Sequence, residues 1–170
     1  MPKQVSSTKI VSTLSKYQDI IIVSSIMLLA TFLRFVSYTN RWGLGPDQAA
    51  FSITGLYGLR TGNLPLLGPF SSGGPFQTAG IWYWLVMIGY ILFPHVVYGP
   101  WILMGLLSLG FVLLTIYIGS IIGGKRLGYL AGLLSAVSTA QITQSTNLSN
   151  QTPISFFALC ALTGSILYIK

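Results

Sequence analysis

Residues 81–93 read IWYWLVMIGYILF, and whether this run crosses a membrane sets the topology of everything that follows it. With Gly80 the run is about 14 residues long and Pro94 closes it, whereas a helix needs about 20 apolar residues to cross a hydrocarbon core of about 30 Å. That length suits an interfacial or re-entrant helix. The surrounding chain has the composition of an integral membrane protein. Of its 170 residues 52% are hydrophobic and 6% charged, with a mean hydropathy of +0.73; a soluble domain carries about 25% charged residues.

Longer apolar runs flank this one, at about 20–38, 101–122, 127–145 and 154–169. Lys3, Lys9 and Lys16 precede the first and place residues 1–19 in the cytoplasm by the positive-inside bias. No small-residue cleavage site follows the first run, so it reads as a retained span rather than a signal peptide, with Arg34 expected to snorkel outward. If all five runs crossed, Lys125 and Arg126 of GGKRLG and the terminal Lys170 would lie outside. Letting residues 80–94 dip in and return keeps those three cations in the cytoplasm. The expected fold is therefore an all-α integral membrane protein with four transmembrane helices, plus juxtamembrane helices in one long extracytoplasmic loop, about 39–100. Five spans remain the alternative. The net charge of +7 is no sign of nucleic acid, because the basic residues edge apolar runs instead of clustering. The lone cysteine, Cys160, excludes an internal disulfide framework.

The long loop holds Asp47, one of only two acidic residues. GPDQAAFSITGLYGLRTG reads as a short helix: Pro46 suits a first turn, an acid there meets the positive end of the helix dipole, and Gly62 with Asn63 stops it. Winding at 100° per residue puts Ala49, Ala50, Ile53, Leu56, Tyr57 and Leu59 on a side expected to rest on lipid, with Asp47, Phe51, Thr54 and Gly58 opposite. As a helix-start residue Asp47 reads equally as a cap. A Gly/Pro/Ser-rich stretch follows, and loops this long are usually functional or disordered; recurrent apolar residues favour a packed, functional one. Arg41 and Arg60 are the local cations that could meet a phosphate, or else interface anchors. Trp82, Tyr83 and Trp84 suit an interfacial belt or a stacking surface for a sugar or prenyl chain. Gly119/Gly123 and Gly128/Gly132 have the spacing of close helix packing.

Arg34, Asp47, Phe51, Leu59, Gly62, Pro65, Pro75, Tyr83, Trp84 and Leu85, together with GGKRLGYLAGLLSAVS downstream, resemble the start of the GT-C membrane glycosyltransferases. More narrowly the chain looks like their protein-mannosyltransferase and aminoarabinose-transferase branch, over roughly residues 20–170. The resemblance implies a multi-pass enzyme of the cell membrane that takes a sugar from a polyprenyl-phosphate-linked donor and passes it to an extracytoplasmic acceptor. It assigns catalysis to Asp47; Phe51 and Tyr83, together with the local cations Arg41 and Arg60, are the candidate substrate-binding residues. In chemical terms a carboxylate would take the acceptor's proton and cations would meet the leaving phosphate. The family commonly has a second acid where this chain has Gln48, and an acid near the third span where it has the neutral Asn147, Asn150 and Gln151. The sequence thus lends no support to a divalent metal. Members of that family are several-fold longer, so the chain is expected to be the N-terminal part of one. A small non-catalytic membrane subunit and a transporter fragment are the rival readings. No charge in the middle of a span and no internal repeat speak against the transporter.

Overall fold

A computed structural model describes residues 7–71 and 73–169, and side chains from residue 17 to 168 apart from residue 72. Lys3 and Lys170 lie outside the described residues, as do the side chains of Lys9 and Lys16. The chain is mostly helical, and two of its helices are long and apolar enough to cross a membrane.

Helix α1 spans Ser7–Phe35 and is followed by a single 3-10 turn, Tyr38–Asn40. Helix α2, Pro46–Thr61, leads into a two-stranded antiparallel hairpin, β1 Leu67–Phe70 and β2 Gln77–Ala79, and then α3, Ile81–Leu92. Helix α4 runs Gly99–Val137, α5 Thr139–Gln144 and α6 Ile154–Ile169. At 12 residues and 1.5 Å per residue, α3 is about 18 Å long, short of the hydrocarbon core. The short aromatic run forms a short helix, in keeping with its length.

Helix α4 is two antiparallel arms joined at GGKR. Gly123 and Gly124 leave helical geometry, and Gly124 takes φ 81°, a left-handed conformation glycine adopts without strain. Beyond the corner the chain folds back on itself: a Cβ on Gly119 would lie 2.9 Å from Gly128 Cα, and one on Gly132 would lie 2.2 Å from Ile116 Cγ1. The glycine spacing read from the sequence is this seam. Helix α1 lies against both arms through Ile26 and Ala30, packed with Val112, Ile116 and Ala136. Phe156 of α6 lies against Gly110 of the first arm. The second arm stops at Val137 because Ser138 turns extended (ψ 115°), so the run 127–145 is one arm plus the short α5.

The hydrophobic centre of the loop half is aromatic. Tyr38, Trp82, Val86, Tyr90, Trp101, Met104 and Leu148 form one buried cluster, which α2 joins through Phe51, Leu56 and Leu59. Here α2 departs from its helical-wheel reading in part, because Leu56 and Leu59 turn into the cluster instead of outward with Ile53 and Tyr57. Its packed ridge is Ser52, Gly55 and Gly58, with Gly55 against Val86 and Gly58 against Met87 of α3, while Ile53 and Tyr57 are exposed. Small residues let two helix backbones approach closely, so this ridge is the line of closest approach to α3.

Candidate functional site

Asp47 sits in the first turn of α2, after Gly45, which occupies the cap position without a side chain to donate or accept. The carboxylate is therefore not a cap in this structure: among the described residues it has no hydrogen-bond partner and no ion pair. It lines an open cleft of about 770 Å³. From α2 the cleft takes Asp47, Gln48, Ala50 and Phe51; from the hairpin Gly68–Ser71, Gln77 and Thr78; from α3 Tyr83. The turn between α5 and α6 adds Asn147, Ser149, Asn150 and Gln151.

Two contacts hold these distant segments together. Gln48 Nε2 donates to Asn147 Oδ1 at 3.3 Å across 99 residues of sequence. Phe51 packs edge-on against Trp82 (5.5 Å between ring centroids) and against Tyr83 (6.3 Å), a geometry that favours a positive ring edge over a negative face. The hairpin is fixed to α3 by Trp84, whose Nε1 donates to Pro65 O at 2.9 Å. A Cβ on Gly80 would come within 2.1 Å of that same carbonyl, so only glycine fits the junction. Below the Asn147 turn, Ser145, Thr146 and Leu148 are buried, which seats it firmly.

Of the residues expected to form a site, the structure brings together Asp47, Phe51 and Tyr83. Arg41 and Arg60 do not line the cleft. Arg41 Nη1 donates to Leu33 O at 2.7 Å and to Arg34 O at 3.3 Å, and Nη2 donates to Ile142 O at 3.4 Å. Those first two carbonyls belong to the last turn of α1, which has no intrahelical donors left and carries the negative end of the dipole. Arg60 occupies the last turn of α2, exposed, and 13 residues of helix rise set it about 20 Å from Asp47.

Arg34, expected to snorkel outward, points inward instead and is fully buried. Its Nε donates to Ser108 Oγ at 2.8 Å, Nη1 to Ala136 O at 2.9 Å and Ala30 O at 3.3 Å, and Nη2 to Ser135 O at 3.3 Å. The break at Ser138 leaves the carbonyls of the second arm's end without helical partners, and a planar guanidinium with five donors satisfies several at once. One arginine thereby ties α1 to both arms of α4.

Asp19, the other acid, pairs with Lys125 and accepts from Tyr129 Oη at 2.6 Å. The start of the apolar part of α1 and the GGKR corner therefore meet at one end of the helices, and the Asp47 cleft lies toward the other. Asp19 had no role in the sequence reading, although its position one residue before the first apolar run marks it as a charge at the end of an apolar stretch. The hairpin residues Ser71, Gln77 and Thr78 were also unassigned; two apolar segments around Ser71-Ser72-Gly73-Gly74 were the available hairpin signal.

Chemically the cleft offers one unpaired carboxylate, five carboxamides, several hydroxyls and three aromatic rings. Asp47 is the only acid in its lining, and among the described residues no three of His, Cys, Asp or Glu gather as a metal site. No family model, curated protein or solved structure matches this chain.

Proposed function

We propose that this chain carries the catalytic first loop of a membrane glycosyltransferase of the GT-C type, which moves a sugar from a polyprenyl-phosphate-linked donor to an extracytoplasmic acceptor. Asp47 is the general base. It takes the proton of the acceptor as that group attacks the anomeric carbon, and the carrier phosphate leaves. The observation that carries this reading is the convergence of Asp47, Phe51 and Tyr83 on one polar cleft, completed by a turn about a hundred residues away.

The topology that serves this reading has four spans with a cytoplasmic N-terminus: α1, the two arms of α4 with α5 extending the second, and α6. The Asp19–Lys125 pair supports it, because a five-span arrangement would put those two residues on opposite faces. Helix α3 then lies half-embedded beside the cleft on the outer side.

Asp47→Asn in the full-length gene product, assayed for transfer from a radiolabelled polyprenyl-phosphate sugar in membranes, should lower the rate by about 10²–10⁴, the usual contribution of a positioned base. An undiminished rate refutes the assignment.

A further inference from the structure

A second cavity of about 530 Å³ adjoins the Asp47 cleft, running between α3 and α6. Its walls are apolar, including Ile81, Trp82, Leu85, Ile154 and Phe157, and it shares Thr78 and Asn150 with the polar cleft. Polar head space and apolar tail space are thus continuous, and the join falls at a hydroxyl and a carboxamide. Ile81, Ile154 and Phe157 are also exposed, so the groove is open along these side chains.

The polar half has a definite chemical bias. No lysine or arginine lines it, and the only formal charge is the Asp47 carboxylate. A phosphate or carboxylate head would meet repulsion there and no counter-charge, at a desolvation cost that nothing offsets. Carboxamides, hydroxyls and aromatic rings instead suit a neutral polyhydroxyl group, whose donors and acceptors each find a partner.

We infer that the acceptor is a membrane amphiphile, with an uncharged polyhydroxyl head in the Asp47 cleft and an alkyl or prenyl chain in the groove between α3 and α6. This rests on Asp47 being the base, because a base must touch the nucleophile, so the cleft around it is the acceptor's place. A hydroxyl oxygen of the head forms the new bond to the donor's anomeric carbon, and its proton passes to the Asp47 carboxylate. The anomeric C–O bond to the carrier breaks, and its electron pair leaves on the phosphate oxygen. The groove suits the acceptor's chain better than the donor's, because the donor's prenyl chain ends in a phosphate and the adjoining cleft holds no cation to receive it.

The test is photolabelling of the full-length protein in lipid nanodiscs by dodecyl glucoside with a diazirine at its chain end, followed by peptide mapping. Label is expected in residues 81–85 and 154–158 and should be competed by plain dodecyl glucoside but not by dodecyl phosphate. Ala158 also lines the groove, and Ala158→Trp, which fills it, should cut labelling about tenfold, the effect of losing two or so buried methylene contacts. Phe157→Ala, which widens the groove, provides a second variant and should keep or raise it. Label spread evenly onto the outward Leu28 and Phe32 of α1, or equal competition by dodecyl phosphate, overturns the inference. If Asp47→Asn is inactive but the groove takes no label, the acceptor site alone is refuted. Transfer that survives Asp47→Asn refutes the base and with it the acceptor role.

Discussion

Replacing Gly128 with alanine should loosen the α4 hairpin. The added Cβ would lie 2.0 Å from Ser120 Oγ, 2.5 Å from Ile116 O and 2.9 Å from Ser120 N, where ordinary contact begins at 3.4 Å. The hydroxyl can rotate, at the loss of its 2.7 Å bond to Ile116 O, but the two backbone atoms cannot. Reaching 3.4 Å from the carbonyl requires 3.4 − 2.5 = 0.9 Å of separation between the arms. A gap of that order forfeits a quarter to a half of each dispersion contact it opens, and overpacking of this kind costs about 1–3 kcal/mol. Alanine's better helix propensity returns up to about 1 kcal/mol. Gly164→Ala on α6 is the matched control, because its Cβ would meet nothing within 4 Å and the propensity gain stands alone. Unfolding in mild detergent, followed by far-ultraviolet circular dichroism, should separate the two variants by about 2 kcal/mol, or about 4–8 °C for a chain of this size. If their stabilities agree within about 0.5 kcal/mol, the scatter of ordinary surface substitutions, the arms do not meet at Gly128 and the hairpin is wrong.

Two further outcomes follow from the paired ends of the helices. A cysteine at Lys125 in otherwise cysteine-free protein should resist a membrane-impermeant thiol reagent added outside intact cells and react once the membrane is opened; labelling before opening would restore five spans. Arg41→Ala should lower thermal stability by about 1.5 kcal/mol, the low end for a bond to a charged group, and Arg41→Lys should not restore it, because a compact ammonium cannot reach carbonyls of two elements. Loss of transfer at unchanged stability would instead return Arg41 to the substrate.

Much of the frame is legible along the chain. The brevity of IWYWLVMIGYILF, the glycine corner before Lys125 and the Pro46 start of α2 are local signals, and each has its expected counterpart in the structure. The face of α2 was legible only in part, because a wheel ranks residues by apolarity: Ile53 and Tyr57 point outward as read, whereas Leu56 and Leu59 pack inward. Close packing against α3 instead selected Ser52, Gly55 and Gly58 for their lack of bulk. The site was legible as a list more than as a place. Asp47, Phe51 and Tyr83 meet, whereas Arg41 and Arg60, equally plausible as phosphate ligands by position, lie at helix C-termini.

By itself the sequence determined the apolar character of the helices and the shortness of α3, because hydropathy and helical rise accumulate residue by residue. Only the tertiary structure decided what its few charges do. Arg34 finds Ala136 O across 102 residues, Asp19 finds Lys125 across 106, and Gln48 finds Asn147 across 99. A charge or carboxamide among apolar helices must find a partner, and no local pattern in the chain records which distant group folding brings to it.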